Sequence, residues 1–97
     1  MATPYRLLYS RAFDEDLDEI PAYDAVIVRS AVALLTTQAE AESRNRKRLS
    51  APVAWCPEAV WQLRVRSYRV LYRVEQGMVR VLRLTFKGRM TTEEMGR

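Results

Sequence analysis

The densest chemistry in this chain is cationic. Eleven residues, RVRSYRVLYRV from Arg64 to Val74, hold four arginines: Arg64, Arg66, Arg69 and Arg73. Upstream, four of the five residues from Arg44 to Arg48 are cationic, namely Arg44, Arg46, Lys47 and Arg48. Downstream lie Arg80, Lys87 and Arg89. A guanidinium presents a planar fork of donors that meets phosphate oxygens two at a time, so such clusters suit phosphate contacts. There is no histidine. Zinc sites built on imidazole, Ser–His–Asp triads and histidine-based ribonuclease mechanisms therefore lack their central residue. Any acid–base step would fall to Arg, Lys, Tyr, Asp, Glu or the backbone, and no metal or cofactor is expected.

The charge is polarised. Residues 1–42 carry eight acids against three arginines, a net −5, and residues 43–97 carry thirteen Lys/Arg against four acids, a net +9. The basic half suits a polyanion or an acidic protein partner. Ninety-seven residues, 48% hydrophobic, predict one domain over 1–97. No run of about twenty apolar residues predicts a membrane span. The start, MATPYRLLYSRAF, lacks the pattern of a signal peptide. The one cysteine, Cys56, cannot form an internal disulfide. A cytoplasmic protein is expected.

The elements that must hold these cations follow from spacing. Tyr5–Ser10 is a short apolar run and predicts a strand. Ser10 can cap the segment that follows, whose acids Asp14, Glu15 and Asp16 suit a first helical turn. Pro21 ends that helix and opens the next. From Ala22 to about Glu42 there is no Gly or Pro, and Tyr23, Ile27, Ala31 and Leu34, with Val28 and Leu35, recur at helical spacing. The stretch from Glu42 to Pro52 predicts a polar connection. Its cations fit either an exposed helix end or a phosphate contact. Val53–Ala59 predicts loop; within it Cys56 has no obvious partner, and Trp55, like Trp61, suits core better than a stacking platform. Three strands follow, Val60–Arg66, Tyr68–Glu75 and Met78–Phe86, with Gly77 supplying the positive φ of a two-residue hairpin. The tail from Lys87 is polar, and Thr91 or Thr92 can cap a short helix there. The fold class is α+β: an N-terminal strand and two helices packed on a small, mainly antiparallel sheet in the order β-α-α-β-β-β.

Two-residue turns at Arg66–Ser67 and Gln76–Gly77 set the register. Val65 then faces Tyr68, Leu63 faces Val70, Trp61 faces Tyr72, Val74 faces Val79 and Tyr72 faces Val81. Because side chains alternate, all of these fall on one face, a wall for the helices. The other face carries Arg64 opposite Arg69 and Arg73 opposite Arg80, with Gln62, Leu71, Leu82 and Leu84 among them. Like charges directly opposite cost up to roughly 1 kcal/mol per pair. Either these arginines splay into solvent, or they are held for a bound phosphate or an acidic peptide. Their mutual geometry favours a site.

The segments ESRNRKRL, WQLRVRSYRVLYRVE and VRVLRLTFKGR, in order over residues 42–89, resemble the RelE/ParE toxin superfamily of bacterial toxin–antitoxin systems. Members show a similar arginine-rich segment and a W-x-L-R-V-x-x-Y-R-V-x-Y-x-V hairpin. The resemblance implies helices on a sheet whose concave face binds the target, and a cognate antitoxin as partner, with a toxin–antitoxin hetero-oligomer to follow. For RelE-type members it implies messenger RNA cleavage on the ribosome, by attack of a 2′-hydroxyl on the adjacent phosphate with basic side chains in place of a histidine pair. Carried over by position, Arg69 matches the phosphate-binding arginine, Arg64 a basic residue on the preceding strand, and Lys87 and Arg89 the basic pair after the last strand; these four are the implied catalytic residues. Gln62 stands where a lysine is often found. Arg44, Arg46, Lys47, Arg48, Arg66, Arg73 and Arg80 are the implied RNA contacts. One departure bears on activity: after Tyr72 there is no tyrosine, whereas RelE-type nucleases often carry one near the C-terminus. The tail acids Glu93 and Glu94 are the alternatives for a base. The resemblance therefore admits a ParE-type inhibitor of DNA gyrase, or an inactive antitoxin-binding module, beside the nuclease.

Overall fold

Ser10 decides where the first strand stops. Its backbone N–H donates to Val81 O at 2.9 Å, the last bond of a strand pairing. Its Oγ accepts from Phe13 N at 3.0 Å, which caps a helix, and donates to Leu82 O at 2.7 Å. In this computed structural model, which describes residues 4–86, strand β1 (Arg6–Tyr9) thus hands over directly to helix α1 (Arg11–Asp18). Helix α2 (Ala22–Ala33) starts behind Pro21, followed by a single turn α3 (Leu35–Gln38). Strands β2 (Arg46–Arg48), β3 (Trp61–Val65), β4 (Tyr68–Glu75) and β5 (Met78–Phe86) complete the order. The five strands form one sheet, β1-β5-β4-β3-β2, antiparallel throughout except for the parallel β1–β5 pair. The α+β architecture is the expected one, and no helix among the described residues is long and apolar enough to cross a membrane.

The five expected cross-strand pairs are all present, Val65–Tyr68, Leu63–Val70, Trp61–Tyr72, Val74–Val79 and Tyr72–Val81. The turns that set them put Arg66 at φ 55°, Gln76 at φ 46° and Gly77 at φ 78°. The Gln76–Gly77 turn has the two consecutive positive φ values of a type I′ hairpin, whereas in the Arg66–Ser67 turn only the first residue is positive. The wall these pairs build packs against Phe13 and Leu17 of α1, Val28 and Val32 of α2 and Leu35 of α3. Tyr72, the largest fully buried side chain, donates its hydroxyl to Ala39 O at 2.6 Å, and burial pushes its pKa well above the usual phenol value.

Three expectations needed correction. The helix from Ala22 to Glu42 is interrupted at Leu34 and ends by Gln38. No Gly or Pro breaks it. Instead its late carbonyls are taken by other donors: Thr36 Oγ1 bonds Ala33 O, Tyr5 N bonds Thr36 O, Tyr72 takes Ala39 O, and Arg46 takes Ala41 O. Side-chain back-bonding of this kind competes with the helical ladder. Tyr23 and Leu34, expected on the packed face, are exposed, and the buried line is Val28, Val32 and Leu35. The helix is apolar nearly all round, so periodicity alone did not single out that line.

The second correction concerns β5. The register slips at Leu71/Tyr72, so that Leu71 pairs with Arg83 and Val70 with Leu84. This β-bulge inserts Leu82 as an extra residue. Leu84 therefore joins the helix-side core instead of the basic face, and Arg83 turns to the basic face in its place. Third, the connection from Glu42 to Pro52 contains β2, which adds a strand to the free edge of β3.

Candidate anion-binding face

On the face of the sheet away from the helices, register lines the residues into rows. Lys47, Gln62, Leu71 and Arg83 occupy one row across β2 to β5, and Arg64, Arg69 and Thr85 the next across β3 to β5. Arg73 and Arg80 lie opposite each other nearer the second turn. The face is not uniformly open. The segment between β2 and β3 folds over its middle, where Val53, Cys56 and Ala59 bury Leu71 and Leu82 in a second small core flanked by Leu49 and Trp55. Cys56 is a packing residue there, and burial pushes its thiol pKa up, the direction of an unreactive thiol.

This lid of loop leaves two arginine pairs on either side of it, and they differ. Arg73 Nε lies 3.0 Å and Arg80 Nη1 3.6 Å from the same oxygen of Glu75. The Arg73 contact lacks hydrogen-bond alignment, so it is a charge contact. Arg64 and Arg69 pair with no carboxylate among the described residues. Arg69 instead donates to Oε1 of the buried, neutral Gln62 at 3.1 Å, which fixes its direction without cancelling its charge. Partial burial lowers the Arg69 pKa, and the neighbouring Arg64 charge lowers it further. Both causes penalise the cation, and both would be relieved by an anion set between the two side chains.

The remaining basic residues are scattered. Lys47 is exposed beside Gln62, the position where the sequence lacks a lysine, so β2 supplies a cation that β3 does not. Arg44 and Arg66 are exposed in turns at the same end of the sheet as Arg64. Arg48 is exposed but pairs with Trp61, which puts it towards the helix side. Arg46 is buried: its Nε donates to Ala41 O at 2.6 Å and its Nη1 to Gln38 Oε1 at 3.1 Å. It closes the end of α3 and is spoken for structurally. Lys87 and Arg89, and the tail residues Thr91, Thr92, Glu93 and Glu94, lie outside the described residues. Among the described residues no cluster of His, Cys, Asp or Glu is arranged to hold a metal ion.

Arg83 is the charged residue that sequence reasoning missed. Asp16 grips it with both oxygens, at 2.8 and 3.1 Å, and also accepts Leu84 N at 2.9 Å, which covers the edge of β5 that β1 leaves bare. A signal was present. Strict alternation from Met78 would put Arg83 on the core wall, and the adjacent apolar pair Val81–Leu82 marks where alternation must skip a residue.

A family model described as ParE toxin of type II toxin–antitoxin system, parDE, matches residues 7–89. The chain belongs to this toxin family. Among solved structures, its fold is shared by chains of three toxin–antitoxin complexes. RelBE2 from Mycobacterium tuberculosis matches with TM-score 0.66 and 23% identity over 86% of this chain and 98% of that one. The archaeal RelE–RelB complex from Pyrococcus horikoshii matches with TM-score 0.70 and 18% identity, over 90% and 99%. RelB–RelE from Methanococcus jannaschii matches with TM-score 0.64 and 13% identity, over 84% and 92%. At these identities the likeness speaks for the fold. No curated protein matches the sequence. The toxin's match to the family takes in β2 to β5 whole and β1 from Leu7 on, and therefore both arginine pairs.

Proposed function

We propose that this toxin cleaves messenger RNA on the ribosome and that its own antitoxin restrains it by covering the basic face or wrapping the helices. The observation that carries the reading is the Arg64–Arg69 pair, two guanidiniums directly opposite one another and unmatched by any described carboxylate. A phosphate between them would accept forked donors from both sides. Attack by the ribose 2′-oxygen forms its bond to phosphorus as the bond to the 5′-oxygen breaks, and the proton passes from the 2′-hydroxyl towards the leaving oxygen. Arg64 and Arg69 orient the phosphate and stabilise the charge that builds on its free oxygens, the electrostatic contribution that dominates at such centres. Lys87 and Arg89, which follow β5 in the sequence, are the further cations for this phosphate; Lys47, Arg44, Arg66, Arg73 and Arg80 steer the polyanion. The solved relatives are complexes with antitoxins, which supports an antitoxin as partner.

The second reading is inhibition of DNA gyrase without cleavage. It is favoured by the family description, parDE, and by the absence of a tyrosine after Tyr72. One experiment separates them. Induced expression should stop growth, and primer extension on translated messenger RNA should show new cuts that Arg69→Ala abolishes. Intact message together with inhibited supercoiling by purified gyrase would transfer the assignment to the second reading.

A further inference from the structure

Arg83 lies on the basic face, yet it is a poor phosphate ligand. Both carboxylate oxygens of Asp16 hold its guanidinium, and that bond is the main reason its pKa is raised. Its charge is matched. What remains available is its flat surface. One side lies over the Trp55 ring, with the guanidinium carbon 5.3 Å from the ring centroid. The side chain is still 37% exposed, and it lines a cleft of about 640 Å³ at the end of β5.

Phe86 and Tyr68, packed edge to face at 5.4 Å, and Ile20 and Pro21 form apolar walls of this cleft, while Glu19 puts an acid on its rim. The acid and the matched arginine make it a bad seat for phosphate. Thr85, another wall residue, is the direct cross-strand partner of Arg69. The cleft therefore begins one strand away from the unmatched arginine pair.

We infer that this cleft is a nucleobase subsite in which Arg83, clamped by Asp16 and backed by Trp55, is the stacking platform for a base adjoining the phosphate held by Arg64 and Arg69. The inference rests on the RNA reading proposed above. Bases stack on guanidinium planes as they do on aromatic rings, and a platform already immobilised by two hydrogen bonds loses little further freedom on binding.

The test uses the full chain, at low ionic strength, with two probes: a short single-stranded oligoribonucleotide and an abasic sugar–phosphate oligomer of the same length. The RNA should bind more tightly than the abasic probe and should change the tryptophan fluorescence, with the change lost in Trp55→Phe, which leaves only buried Trp61. Arg83→Ala should weaken RNA binding about tenfold, a typical loss for one stacked base, and leave abasic binding as it was. Arg83→Lys keeps a cation for Asp16 and guards against a folding defect, yet it should lose the base as Arg83→Ala does. Equal binding of both probes, abolished by Arg69→Ala, would keep the RNA reading and overturn the subsite. Binding of neither probe would overturn both. A Trp55 response to an antitoxin segment but not to RNA would overturn the subsite and make the cleft a protein seat.

Discussion

The two arginine pairs of the sheet are alike in sequence and opposite in chemistry. Arg64–Arg69 and Arg73–Arg80 are both directly opposed cross-strand pairs, one on each side of β4. Either alone would cost the sheet a fraction of a kcal/mol to roughly 1 kcal/mol. Glu75 approaches both members of the second pair and offsets that cost. The first pair has a neutral amide where the second has a carboxylate. An internal carboxylate makes a like-charge pair part of the fold, whereas an uncharged hydrogen-bond acceptor orients a cation and leaves its charge for something else. The difference separates arginines that serve stability from arginines kept for an anion.

The sharpest way to break this comparison is to remove one member of each pair. Arg69→Ala should lower RNA cleavage by about a hundredfold, the loss of one transition-state contact worth roughly 3 kcal/mol. Growth inhibition should disappear while the circular dichroism spectrum stays native, because Arg69 is on the face away from the helices. Arg73→Ala and Arg80→Ala should cost only a few-fold, and that loss should shrink as salt is raised, since exposed charges act over about 10 Å at 0.1 M salt and about 3 Å at 1 M. Equal losses from Arg69→Ala and Arg73→Ala would erase the distinction.

A second variant turns one pair into the other. Glu75→Gln leaves Arg73 and Arg80 facing each other over a neutral amide. Binding of a sugar–phosphate oligomer should strengthen, with a steeper salt dependence of about one further phosphate contact. Stability measured by urea unfolding should fall by no more than about 1 kcal/mol, because Glu75 and Arg80 each keep nearly half of their side-chain surface in solvent. An unchanged salt slope would mean that Glu75 is not what holds Arg73 and Arg80 back from direct phosphate contact.

Much of this arrangement was legible before any coordinates. The turns at Arg66–Ser67 and Gln76–Gly77 fix hairpin register locally, and alternation then assigns every residue of β3, of β4 and of β5 as far as Val81. That sufficed to set Arg64 against Arg69 and Arg73 against Arg80. The role of Glu75 was within reach too, since it sits two residues from Arg73 and so on the same face. What alternation cannot show is where it fails. The bulge at Leu82 follows from Ser10 and Asp16, seventy-two and sixty-eight residues from the backbone groups they bond. Arg83 was invisible as a basic-face residue for that reason. Arg46 misled for a related one: a cation in a polar run looks available until its partners, the carbonyl of Ala41 and the amide of Gln38, are seen. Short β2 carries too few residues for any periodicity.

The smallest effect is also the most direct measure of the first pair. Arg64 is exposed, has no described carboxylate partner, and adds to the forces that lower the pKa of Arg69. Neutralising it removes a repulsion without stranding a buried group, since Gln62 keeps its bond from Arg69. Arg64→Gln should therefore stabilise the fold, by a fraction of a kcal/mol to about 1 kcal/mol at low salt, while activity falls. The gain should vanish near 1 M salt, where screening shortens to about 3 Å. Arg73→Gln, by contrast, frees Glu75 from its nearest cation and should bring no gain. The measurement is the urea midpoint of both variants at two salt concentrations. A midpoint for Arg64→Gln at or below that of the parent at low salt would mean the two guanidiniums already coexist at no cost, and the case for an anion between them would lose its energetic support.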